Sequence, residues 1–248
     1  MIIQSMAGLL VFSCIAWLIS ENRTKVKIKL IIAGVTIQLL IGFILLKLPV
    51  FRGFFISLNH LVLSLEESTK AGTSMVFGYL GGGDLPFAEK FPGSSFILAF
   101  QALPLILVIS ALSSLMFYWK ILPLVVRSFS YALQKTLGLG GAEGLGVSAN
   151  IFVGMVESPL FIRPYLREMT RSEIFTLMTS GMATIAGTVM VLYASILSKA
   201  IPDILGHILM ASIISVPAAI TISKIMIPET GERTSGELTP PEPALSAM

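Results

Sequence analysis

The stretch Asn150–Leu166, NIFVGMVESPLFIRPYL, sets a glutamate, two prolines and an arginine in otherwise apolar surroundings. Its length decides its reading. From Val147 to Leu160 only about 14 residues can lie at membrane depth before Pro159, Arg163 and Pro164 interrupt, whereas a helix needs roughly 20 residues to cross a hydrocarbon core of about 30 Å. Both flanks are basic, with Arg127 and Lys135 before the stretch and Arg163, Arg167 and Arg171 after it. Basic residues collect in cytoplasmic loops, so a segment with both ends on that side turns round inside the membrane. Gly146–Leu166 therefore reads as a re-entrant hairpin with its tip at Val153–Pro159. Gly154 permits unusual dihedrals there, and Pro159 starts or ends a half-helix. Irregular backbone at that depth is tolerated only where protein or a water-filled cavity covers it.

The rest of the chain supports a membrane setting. Hydrophobic residues make up 54% and charged residues 12% of the 248, and the mean hydropathy is +0.87, values that would leave a soluble domain with a large exposed apolar surface. The net charge of +3 is then a topology signal and not a nucleic-acid footprint. The single cysteine, Cys14, lies in an apolar run, which excludes an intrachain disulfide and a cysteine-rich metal site. Residues 1–48 read as two scaffold spans, Ile2–Ile19 and Leu30–Leu48, joined by ENRTKVKIK, whose four positive charges place that loop in the cytoplasm and the N-terminus outside. Residues 49–95 read as an interfacial helix followed by a glycine-rich loop whose three consecutive glycines lack the strand and the Gly-Lys-Ser/Thr of a phosphate cradle. A third span covers 96–120, a second interfacial helix 121–145, the hairpin unit 146–170, a broken span 171–198 and a fifth span 206–227. The Pro-, Glu- and Ser-rich remainder, 228–248, reads as a disordered cytoplasmic tail. The expected fold is an all-α polytopic membrane protein of about five transmembrane helices, with one re-entrant hairpin and interfacial helices.

Two features mark a site. MTSGMATIAGTVM, Met178–Met190, carries two glycines, three threonines and a serine in the middle of its span. By itself it suits either a close small-residue helix contact or a locally unwound helix. Paired interruptions near the bilayer midplane are the mark of substrate and ion sites in secondary transporters. Glu157 is the other feature: a midplane carboxylate costs about 2.5–3.5 kcal/mol even on the lenient insertion scale, so it binds substrate, coordinates an ion, couples protons or pairs internally with Arg163.

The run ANIFVGMVESPLFIRPYLREMTRSEIFTLMTSGMATIAGTVMVLYASIL, with VFGYL before the third span and ASIISVPAAITISKIMIPET after the fourth, closely resembles the concentrative nucleoside transporters. Their first hairpin and following helix typically read N-x-F-x-G-Q-T-E-A/S-P, then PY, M-T-x-S-E and G-x-A-S/T-I-A-G. The resemblance runs from about Val76 to Thr230. It implies half of an inverted-repeat transporter fold, and a cation, usually sodium, held by the Asn150 side chain, the Val153 carbonyl, the Thr184 hydroxyl and the Ile185 carbonyl. These are hard oxygen donors that suit a hard monovalent cation. It also implies nucleobase contacts from Met155, Val156 and Glu157. Only the glutamate keeps the family's residue, and a thioether and an isopropyl replacing an amide and a hydroxyl alter base recognition.

The family continues with a second hairpin and a second broken helix that the sequence does not contain, so the resemblance implies a truncated product or a half that assembles with a complementary chain. The expected function is a cation-coupled nucleoside transporter of the inner membrane, driven by sodium or protons, or the N-terminal part of one. The implied partners are a nucleoside, membrane lipid and, by resemblance, two further copies in a homotrimer or a second-half chain, with no nucleic acid and no cofactor beyond bound Na+. The alternative is a non-transporting, half-sized membrane assembly protein that keeps the hairpin as a partner-binding scaffold. An enzyme is not expected, since His60 and His207 lie outside the hairpin and no serine there has a base.

Overall fold

A computed structural model describes residues 2–88, 90, 95–155, 158–197, 201 and 203–234. The described residues form helices and turns without strands. In chain order the helices are α1 (Ile2–Leu18), α2 (Ile28–Lys47), α3 (Pro49–Phe77), α4 (Leu98–Gln101), α5 (Leu103–Tyr118), α6 (Ile121–Leu137), α7 (Gly141–Asn150), α8 (Ser158–Phe161), α9 (Arg171–Ala183), α10 (Gly187–Leu197) and α11 (Ile204–Met226). Among the described residues, three stretches are long and apolar enough to cross a membrane: Ile28–Lys47, Leu98–Tyr118 and Ile204–Met226. Exposed large apolar residues such as Phe12, Leu39, Phe43 and Leu107 cover the outer faces of α1, α2 and α5, as lipid contact requires. The molecule is a helical membrane protein.

Local chemistry sets the boundaries. Proline opens α3 at its first position, where the missing N–H costs nothing. The buried residues of α6 are Leu122, Val126, Ser130, Leu133 and Leu137, one stripe at three- and four-residue spacing. That helix ends on Gly138 in the left-handed region (φ 63°), whose N–H closes onto Gln134 at 2.9 Å. The chain then starts α7 at Gly141, before Gly146, where the hairpin was expected to begin. All ten residues of α7 are buried. Its glycines, alanines and serine admit neighbours on every side: a Cβ on Gly144 would meet Gln134, and one on Gly146 would meet Leu177 and Ile162.

Two apolar clusters enclose α7. Leu122, Val126, Leu145, Ile162 and Leu177 form the cluster shared with α6, the α8 region and α9. Leu133, Leu137, Val147, Ile151, Val216 and Ile220 form the one shared with α6 and α11. Helix α11 also packs closely on α2, where Gly34 gives its Cβ space to the Thr221 hydroxyl, the small-residue contact by which membrane helices approach. The loop after α1 joins the same end of the bundle: Glu21 N–H donates to the Met226 carbonyl at 2.9 Å, and Arg171 pairs with Glu21 at 2.6 Å.

The segment after α11 departs from its composition. Pro228 and Thr234 are buried and Glu229 is half-buried, while residues 230–233 between them are exposed, although the prolines and charges of 228–248 suggest disorder throughout. Side-chain and backbone hydrogen bonds to α7 and α9, described below, hold it. The remaining tail, 235–248, lies outside the described residues.

Candidate functional site

Helix α7 ends at Asn150, residues 151–155 form an irregular turn, and α8 starts at Ser158. Gly154 in this turn has φ 118°, a conformation that side chains disfavour. Its carbonyl accepts from Ser158 N–H at 3.0 Å, and the Ser158 hydroxyl donates back to the Gly146 carbonyl at 2.5 Å, which draws the two limbs together. The second interruption falls between α9 and α10, at Thr184–Ala186. Thr184 ends α9 in an extended conformation, φ −115° and ψ 161°.

The two interruptions meet. The Phe152 carbonyl accepts from Gly187 N–H at 3.2 Å, and a Cβ on Gly187 would lie 2.8 Å from that carbonyl. The Asn150 side chain is 1% exposed and reaches the end of α9. One end of its amide lies 2.9 Å from the Gly154 carbonyl and the other 3.2 Å from Gly181 N–H, so the nitrogen faces the former and the oxygen the latter. Gly181 has room only because it lacks a side chain, since its Cβ would meet Met155 Cβ at 2.8 Å and the Asn150 amide at 3.2 Å.

Each residue singled out in the sequence can now be placed. Asn150 and Val153 lie on the first interruption, and Thr184 and Ile185 on the second, between the two glycines that touch the first. The Thr184 hydroxyl donates to the Ser180 carbonyl at 2.9 Å, leaving its lone pairs free to accept. Ile185 N–H reaches the Ser212 hydroxyl of α11 at 3.4 Å. Met155 is 58% exposed, and Met178 and Met182, one turn apart on α9, are 59% and 72% exposed; this face of the tip is open and lined with thioethers. Val156 and Glu157 lie outside the described residues, and so does a pairing of Glu157 with Arg163.

A buried polar assembly at the other end of α7 escaped the sequence reading. Lys224 Nζ lies 2.8 Å from Glu143 Oε1, with side-chain exposures of 5% and 0%, and 3.4 Å from Glu229 Oε2. Its ammonium also donates to the Ser172 hydroxyl at 3.2 Å. Glu143 and Glu173 each accept from a backbone N–H three residues earlier, Gly140 at 3.2 Å and Thr170 at 2.9 Å. Thr234 joins the two helix starts: Ala142 N–H donates to its hydroxyl at 3.1 Å, Gly141 N–H to its carbonyl at 3.1 Å, and its own N–H and hydroxyl donate to Glu173 Oε1 at 3.0 Å. Glu229 accepts from the Thr170 hydroxyl at 2.8 Å and from Gly231 N–H at 3.1 Å. Burial alone would raise the Glu229 carboxyl, but the Thr170 bond, the Lys224 charge and the Gly231 bond outweigh it and hold the group below its ordinary value. The signal for this assembly was present as acidic residues near two helix starts and a lysine near a helix end, a pattern that ordinarily marks helix-dipole compensation.

The family model described as Na+ dependent nucleoside transporter N-terminus matches residues 7–80, and the one described as Nucleoside recognition matches residues 99–200. The nucleoside permease NupC of Helicobacter pylori is 36% identical over 226 residues, covering 91% of this chain and 52% of that protein. Sodium/nucleoside cotransporter 2 of Rattus norvegicus is 34% identical over 228 residues, covering 92% of this chain and 32% of that protein. A solved structure of CNTnw in an inward-facing, substrate-bound state superposes with a TM-score of 0.84 at 32% identity, over 96% of this chain and 56% of that one. The chain thus spans about half the length of the bacterial relative and about a third of the rat one. It belongs to the concentrative nucleoside transporter family and corresponds to the N-terminal part of those proteins.

Proposed function

We propose that the chain supplies the hairpin half of a cation-coupled nucleoside transporter of the inner membrane, with its N-terminus outside. The observation that carries this reading is the contact between the two interruptions, Asn150 on Gly181 and Phe152 on Gly187. It joins the segment that carries Asn150 and Val153 to the one that carries Thr184 and Ile185, the four residues this reading takes as cation ligands. Hard, neutral oxygen donors of this kind suit sodium, which would add the positive charge that makes nucleoside entry depend on a cation gradient. Helices α7 and α8 are the two limbs of a re-entrant hairpin in this reading, and Glu157, two residues after Met155 in the sequence, is the nucleobase contact. Met155 and Val156 bring a thioether and an isopropyl to that recognition where Glu157 brings a carboxylate. The second half of the site comes from a complementary segment, and the assembly is a trimer as the family resemblance implies. Alternating access moves the hairpin unit against the spanning helices.

The test is uptake of radiolabelled nucleosides by transport-deficient cells that express the chain, alone and with a relative's second half, in sodium and in choline medium. Sodium-dependent uptake that Asn150→Ala abolishes supports the reading. A second reading, a non-transporting membrane assembly protein, draws on the exposed Met155, Met178 and Met182 face, an adaptable apolar surface of the kind that partners bind. Background uptake in every arm would favour it.

A further inference from the structure

We propose that the buried Lys224–Glu143 pair is a positioning device for the hairpin tip, and that Lys224, acting through Glu143, fixes the height at which Asn150 meets α9. The inference rests on the reading of the tip as a site. Glu143 and Asn150 are seven residues apart on α7, two turns along one face and about 10.5 Å along the axis. Glu173 and Ser180 repeat that spacing on α9, and all four side chains are buried. Buried polar groups stand at three levels between these ends. At the lower level Lys224 binds Glu143, and Thr234 binds Glu173 and the α7 backbone. At the middle level the Ser223 hydroxyl donates to the Thr176 hydroxyl at 3.0 Å, and the Thr176 hydroxyl donates to the Ser172 carbonyl at 2.9 Å. At the upper level the Asn150 amide oxygen accepts from Gly181 N–H, the residue after Ser180, at 3.2 Å.

Charged groups in a dry interior admit one register. Sliding α7 past α9 or α11 by a fraction of a turn would strip Glu143 of Lys224 and leave both charges without water. The apolar clusters on either side of α7 carry no such register, because aliphatic side chains can repack. The folded segment 227–234 belongs to the same device, since Glu229 and Thr234 complete the shells of Lys224 and Glu173.

The test is hydrogen exchange on the purified full chain, read at Gly181 and Gly187, whose N–H groups bond to Asn150 and Phe152. The variants are Glu143→Gln, which keeps shape and loses charge, and the paired Glu143→Met/Lys224→Met, which removes both members of the closest pair, leaves Glu229 to its Thr170 and Gly231 hydrogen bonds and keeps the test alive if Lys224→Met alone does not fold. Lys224→Arg serves as the conservative rescue. Expected is exchange at Gly181 and Gly187 at least tenfold faster in Glu143→Gln and in the paired variant, near-native exchange in Lys224→Arg, and no change across α5. Native protection at Gly181 and Gly187 while the Gly140–Ala142 amides open would overturn the proposal, as would uniform acceleration over the whole chain. The measurement needs neither cation nor nucleoside, so its failure is distinct from failure of the transport reading, which the sodium arm of the uptake assay decides.

Discussion

Replacing Lys224 by methionine tests the energetics of the buried assembly. The ammonium is 5% exposed and faces one carboxylate at 2.8 Å and another at 3.4 Å. At an effective dielectric near 20, a pair of unit charges 2.8 Å apart attracts by about 6 kcal/mol before desolvation is subtracted. Removing one partner of such a pair strands the other in a dry interior and costs about 3–5 kcal/mol. For a chain of this size each kcal/mol moves the melting temperature by roughly 2–4 °C, so Lys224→Met should melt roughly 6–20 °C below the parent. The paired Glu143→Met/Lys224→Met chain should recover most of that loss, because two apolar side chains of similar volume pack where the charges met. The assay is thermal unfolding of detergent-solubilised protein, followed by tryptophan fluorescence at one detergent concentration. A Lys224→Met melt within about 2 °C of the parent, or a paired variant no better than the single one, would refute the reasoning.

Three further outcomes follow from the same contacts. Gly181→Ala should displace the tip, since its Cβ would fall 2.8 Å from Met155 Cβ; overpacking of this kind costs about 1–3 kcal/mol, and a melting temperature equal to the parent's would count against the contact. Thr234→Val keeps the shape but removes the hydroxyl that accepts from Ala142 and donates to Glu173, for a loss of about 1–3 kcal/mol, checked by the same melt and by faster proteolysis after Met226. Because Glu229 is held below its ordinary value in the folded chain, its contribution is fully present above the ordinary carboxylate range and fades as pH falls through the lower, native value. Melting temperatures across an acid series should therefore fall less steeply for Glu229→Gln, and parallel curves would show that the group contributes nothing.

The three long apolar helices and the two interruptions were legible in the sequence because each rests on local facts. An apolar run long enough to cross a bilayer is countable, and so is a run that falls short between basic flanks with Gly154 and Pro159 inside it. The broken helix showed as glycines and hydroxyls at 179–188. Helix boundaries were less legible where glycines serve packing instead of termination: one interfacial helix was expected over 121–145, yet α6 ends at Leu137 and the glycines at 141, 144 and 146 build α7 and give its neighbours room. The assembly around Lys224 was invisible for another reason. Its members lie at 143, 172–173, 224, 229 and 234, and only tertiary contact brings them together. Lysine near the end of an apolar span ordinarily extends to the interface; here α7 and the 227–234 segment close over it.

The central claim is that the two interruptions share one cation. A sodium titration of the purified chain at constant ionic strength, with choline as the balancing ion, tests it most directly. A ligand that binds only the folded state raises stability as its concentration passes the dissociation constant. The melting temperature of the parent should climb with sodium, and Thr184→Ala and Asn150→Ala should each flatten that rise. A parent chain whose melting ignores sodium, or an Asn150→Ala chain that responds as the parent does, would contradict the account.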